Sequence, residues 1–135
     1  MTIRRHGDEH LEITGLAGDL VRPAPSDLSR FPGVQDGRFP WPALPADSLL
    51  DALSPRPGAD HVLVESGDGH YRASIPLAEM RRGGWLLVGV PADRGGPVRL
   101  VVEEGRTLCW NVKQVVALRF TQGPVPDSVP ANPPH

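Results

Sequence analysis

With 135 residues, the chain is long enough for one domain with a hydrophobic core and too short for two. Its 15 glycines and 16 prolines interrupt the backbone so often that a long helical bundle is ruled out. A net charge of −2, with arginines scattered along the chain, leaves no basic stripe for nucleic acid, and no apolar run approaches the roughly 20 residues that span a bilayer.

In chain order, residues 1–10 are polar, carry His6 and His10, and are expected to form a flexible arm. No apolar stretch follows Met1–His6, so no secretory signal is expected and the protein is taken as soluble and cytoplasmic. The domain is expected over residues 11–121. Leu11–Ile13 predicts a short strand, and Gly15–Gly18 a turn. Ser26–Arg30 predicts one helical turn capped by Ser26. Gly33–Pro45 is expected to be irregular, punctuated by Pro40, Pro42 and Pro45. Ala46–Leu53 is the best helix, with Leu49, Leu50 and Leu53 on one face and Pro55 and Pro57 behind it.

The second half predicts strands. His61–Glu65 and His70–Ile75 flank Ser66-Gly67-Asp68-Gly69, and Asp-Gly between two β-prone runs signals a hairpin. Pro76–Met80 suits a first helical turn with proline at its start. Trp85–Val90, Val98–Glu103 and Val115–Phe120 are apolar runs of buried-strand character. Residues 122–135 form a Pro-rich extended tail, because proline lacks the amide donor of a ladder. The fold class is therefore α+β: a strand-rich, mixed-sheet domain.

The chemistry-bearing residues are few. Cys109 stands alone, which excludes an internal disulfide and a cysteine-cluster metal site. His61 and His70 flank the hairpin, but a metal site there needs a third ligand such as Glu65 or Asp68, and exposed hairpin histidines are the simpler reading. Trp41, Trp85 and Trp110 are expected to serve mostly as core anchors. Lys113 is the one lysine among 14 basic residues. No metal site and no Ser-His-Asp or Cys-His arrangement is assigned.

Three segments in order carry a resemblance: Gly67-Asp68-Gly69-His70-Tyr71-Arg72-Ala73-Ser74-Ile75-Pro76-Leu77, then Gly95-Gly96-Pro97-Val98-Arg99-Leu100-Val101-Val102, then Asn111-Val112-Lys113-Gln114. Together with Trp41–Leu50 and Ile13–Leu28, they resemble the molybdopterin-binding domain of the sulfite oxidase family of molybdenum oxidoreductases. The resemblance spans Leu11–Thr121 and implies that family's fold. It also places Trp110, Asn111 and Lys113 at the family's pterin-phosphate contacts, Trp110 standing where the family has an arginine so that two of the three polar contacts could survive, with Arg99 in the Gly-Gly-Pro-Val-Arg-Leu run as a fourth cofactor-binding candidate. For Arg99 and Lys113, a structural role stands beside the binding one.

The departures from the family pattern bear on function. The family's metal-ligating cysteine lies between the opening and Trp41 segments, where this chain has Phe31–Pro40 and no cysteine. Asp36 there is a hard oxygen ligand, poorly matched to that role. The histidine expected ahead of Gly-x-Pro-x-Arg is replaced at Arg94-Gly95-Gly96, and the preceding loop is cut to Pro91-Ala92-Asp93. The expectation is thus a degenerate, non-catalytic binding or accessory module that holds no cofactor and works with a protein partner or as a homodimer. Two alternatives stay open: a small molybdopterin-dependent oxidoreductase using Asn111 and Lys113, and a metal-free binder or enzyme for a small organic molecule. The last predicts a deep apolar cavity lined by Trp110, Trp85 and Tyr71.

Overall fold

The computed structural model describes residues 11–15, 21, 23–67, 71–103 and 110–125. The expected arm at 1–10, the turn expected at Gly15–Gly18 after its first residue, Asp68, Gly69 and His70 of the hairpin, Cys109, and the tail beyond Val125 lie outside the described residues. The elements are β1 (Glu12–Thr14), α1 (Pro25–Ser29), β2 (Ala43–Pro45), α2 (Ala46–Leu53), β3 (His61–Ser66), β4 (Arg72–Pro76), α3 (Leu77–Gly83), β5 (Gly84–Val88), β6 (Val98–Val102) and β7 (Val115–Thr121), with one 3-10 turn at Ala92–Arg94.

The strands form two sheets. One has four strands in the order β1-β7-β3-β4, and the other has three in the order β2-β5-β6. β1 runs parallel to β7, and every other pairing is antiparallel. Alternation decides the faces. In β4, Ala73 and Ile75 point into the core while Arg72, Ser74 and Pro76 point away. One apolar core lies between the sheets, with Ile13, Val62, Val64, Ile75, Leu118 and Phe120 from the first and Leu44, Leu86, Val88, Val98, Leu100 and Val102 from the second. Leu28, Leu49, Leu50 and Met80 reach it from the helices. A smaller cluster on the other face of the second sheet joins Ala43, Leu87 and Val90 to Phe39, Trp41 and Trp85.

The α2 helix has the predicted bounds and buries Leu49 and Leu50, with Leu53 half-buried behind them. It ends where Ser54 turns left-handed and donates its amide to the Leu50 carbonyl, one residue before Pro55. Two expectations are revised. The first helix begins at Pro25 with Ala24 as N-cap, so Ser26 is not the cap; proline suits the first helical position because its missing donor has no partner there. The Asp27 carboxylate accepts the Ala24 amide at 2.9 Å. Within the stretch expected to be irregular, Ala43–Pro45 forms β2, since an edge strand tolerates proline.

β7 carries a β-bulge. Glu65 pairs with Ala117 but Ser66 pairs with Val115, so Val116 has no opposite residue. The bulge resets the alternation, allowing Val115, Leu118 and Phe120 all to be buried while Val116 is pushed outward and left 39% exposed. On the outer face of the four-stranded sheet, Arg119 bridges Glu65 at 3.0 Å and Glu12 at 3.3 Å. None of the described helices is long and apolar enough to cross a membrane.

Candidate functional site

The three motif segments, separated in sequence, meet at one end of the fold. The 3-10 turn stops at Gly95, whose φ of +94° favours glycine. Gly95 accepts the Gln114 amide at 2.7 Å, and the Gln114 carbonyl accepts the Gly67 amide at 2.7 Å. Two backbone hydrogen bonds therefore tie the glycine turn to the Asn111–Gln114 segment and that segment to the hairpin end. The turn also packs too closely for a side chain: a Cβ on Gly96 would lie 1.6 Å from the Val90 carbonyl oxygen. Between these segments is a small surface cavity of about 290 Å³, lined by Gly67, Gly96, Pro97, Gln114 and the bulged Val116 among others.

The four sequence-derived candidates divide into two pairs. None of the four lines the cavity itself, and Trp110 is buried in the main core, with 7% of its surface exposed. Asn111 acts as a surrogate backbone: its Oδ1 accepts the Val102 amide at 2.8 Å, and next to it the Val112 carbonyl accepts the Leu100 amide at 2.8 Å. Residues 111 and 112 thus cover the outer edge of β6, which would otherwise present unpaired amides.

Lys113 and Arg99 approach the glycine turn. The Lys113 stem packs so closely on Gly95 that a Cβ there would come within 2.8 Å of Lys113 Cγ. The Lys113 side chain is exposed. Arg99, half-buried in β6, donates from Nη1 to the Arg94 carbonyl at 3.3 Å. Its Nε is buried with no hydrogen-bond partner among the described residues. A buried unsatisfied donor on a cationic group is costly unless another acceptor meets it. Arg94, Arg99 and Lys113 thus gather positive charge around one turn, and no carboxylate among the described residues pairs with any of them.

The matched family model is the oxidoreductase molybdopterin-binding domain, over residues 28–129. The chain belongs to this family. A similar fold is seen in the crystal structure of the sulfane dehydrogenase SoxCD from Paracoccus pantotrophus, with a TM-score of 0.71 at 19% identity. That match covers 92% of this chain and 41% of the SoxCD chain, so the domain here spans less than half its structural neighbour's length. No curated protein sequence matches the chain.

Among the described residues, Arg99 Nε has no acceptor and the Lys113 ammonium has no acidic partner, and unmatched cationic donors of this kind are able to meet an anion. Phe31–Pro40 carries no cysteine. Among the described residues, no group of three His, Cys, Asp or Glu side chains is placed to hold a metal ion. Trp110 and Tyr71 pack into the main core while Trp85 belongs to the cluster across the second sheet, so the three do not line a shared cavity. The β-bulge, which brings Val116 to the cavity, was missed from sequence because an apolar strand gives no sign of where its pairing slips.

Proposed function

We propose that this domain has kept the phosphate-binding end of the molybdopterin site and performs no oxygen-atom transfer, serving as a binding or accessory module. The observation that carries this reading is the buried, unpartnered Nε of Arg99 beside the Gly95–Gly96 turn. When bound, molybdopterin would bring the metal-centred redox chemistry of the family. The residues here would supply binding. Arg99 and Lys113 would neutralise the phosphate from two sides of the turn, while Asn111 keeps the segment bearing Lys113 in place through Val102. Family membership makes molybdopterin the cofactor to test first, in place of the expectation of none.

The missing thiolate supports the non-catalytic part. A soft metal centre needs a sulfur donor, and the stretch equivalent to the family's cysteine loop offers Asp36, a hard oxygen ligand. A protein partner, or a second copy of the chain, would complete such a module. The matched SoxCD chain is more than twice as long as this one, so there the similar fold is only part of a larger chain.

The test is to express the chain in a host that makes the cofactor and to measure molybdenum by mass spectrometry and pterin by the fluorescence of its oxidised form. Pterin without stoichiometric molybdenum supports the reading. Stoichiometric molybdenum with pterin overturns it in favour of a small oxidoreductase. The absence of both removes the phosphate-end assignment and leaves a metal-free module.

A further inference from the structure

A second cavity, of about 690 Å³, lies away from the Gly95 turn, where the loop after α2 meets the β4–α3 corner. Its size falls within the range of small-molecule sites. Pro55, Pro57, Pro76 and Leu77 give it an apolar floor, and its polar groups are Arg56, Asp60, His61 and Arg81.

These polar groups are not equally available. Arg81 is engaged: Nη1 donates to Asp47 at 2.6 Å and Asp51 at 2.8 Å, clamping α3 to α2. His61 is held by a 2.9 Å bond from Nδ1 to Asp60 Oδ1, which also accepts the Gly123 amide at 2.7 Å. Both bonds use Oδ1, and the Asp60 side chain remains 63% exposed. Arg56 is fixed through its backbone, donating its amide to Gly15 and accepting that of Ala59. Its guanidinium has no partner among the described residues. The cavity therefore combines one available cation, one available carboxylate and an apolar floor.

That combination fits a small zwitterion better than a plain anion, which Asp60 would repel, or a plain cation, which Arg56 would repel. We propose that this cavity binds a free amino acid with an apolar side chain, its carboxylate on Arg56, its ammonium on Asp60 and its side chain on the proline floor. The site shares no residue with the Gly95 cavity, so it stands independently of the molybdopterin reading.

The test is an NMR titration of the isotopically labelled full chain with L-leucine, followed at the amides of Gly58–His61 and Leu77. Leucinamide, which lacks the carboxylate, and 4-methylpentanoate, which lacks the amine, are run in parallel. L-Leucine is expected to give saturable shifts, with each analogue roughly fivefold weaker, the weight of one partly exposed ion pair. Arg56→Gln, which removes no folded-state contact, is expected to weaken leucine by a similar factor, and Arg56→Lys to restore part of it. The proposal is overturned by no saturable shift up to about 20 mM, by 4-methylpentanoate binding as tightly as leucine, or by Arg56→Gln binding leucine as tightly as the native chain.

Discussion

Replacing Arg99 with methionine separates the energy of the fold from the chemistry of the site. Methionine follows the aliphatic stem of arginine and keeps its packing against β5, where Arg99 stands opposite Leu87. The substitution removes a buried Nε donor that nothing accepts. Leaving such a donor unmet costs about 1–3 kcal/mol. It also removes the 3.3 Å bond from Nη1 to the Arg94 carbonyl. That bond is long and partly solvated, so its loss costs about 0.5–1 kcal/mol. The balance favours Arg99→Met by about 1 kcal/mol in phosphate-free buffer, a rise in Tm of roughly 4 °C for a domain of this size. Phosphate should reverse the ranking. A ligand at ten times its Kd stabilises the native chain by about 1.4 kcal/mol, and a variant without the guanidinium gains less. Thermal unfolding of both proteins, with and without inorganic phosphate, measures each term. If Arg99→Met is destabilised by about 1 kcal/mol or more without phosphate, the unmatched donor is no cost, and an equal phosphate response in the two proteins refutes the binding role.

Three further outcomes follow from the same structure. Gly96→Ala places a Cβ 1.6 Å from the Val90 carbonyl oxygen and should cost about 4 kcal/mol or more in urea unfolding. By contrast, Gly89→Ala, with φ +74° but nothing within 4 Å, should cost about 1–2 kcal/mol from backbone strain alone. Asn111→Ala strands the Val102 amide and should lose about 1–3 kcal/mol, whereas Asn111→Asp, which keeps an acceptor, should lose less. The Asp60 carboxyl lies below its ordinary value of 3.8, chiefly through the His61 hydrogen bond and then the Gly123 amide. Its contribution to stability is therefore complete above that value and is lost as pH falls through the lower folded one. Carboxyl NMR should give a midpoint under 3.8, with the Gly123 amide signal moving in the same titration; a midpoint at or above that value refutes the assignment.

The elements with strong local signals were legible in the residues. Ala46–Leu53 has apolar positions on one helical face and a proline stop, and the structure gives it those bounds. β3 and β4 pair antiparallel as the two β-prone runs predict, because a hairpin is a local event, while the Asp68-Gly69 turn expected between them lies outside the described residues. The family was also legible, since five short motifs in order carry it and the matched domain covers residues 28–129. β2 was not, because Ala-Leu-Pro carries no strand period and becomes a strand only where β5 offers an edge. The start of α1 shifted because Pro25 at the first helical position outweighed Ser26 as a cap.

The site divides in the same way. Sequence pointed to Trp110, Asn111, Lys113 and Arg99 through residue type and order, but the role of each depends on what lies opposite it. Asn111 serves Val102 and Trp110 serves the core, whereas Arg99 is left with a buried, unmatched nitrogen. Which amide an oxygen accepts, and which donor goes without, depends on contacts between residues far apart in the chain. Periodicity and turn chemistry describe neighbours along the backbone and do not encode those contacts. The cavity between Arg56 and Asp60 is of this kind as well: its floor joins the loop after α2 to the β4–α3 corner, and the Gly123 amide orients its carboxylate. Local preference shaped the elements, and long-range packing assigned their side chains to structure or to a site.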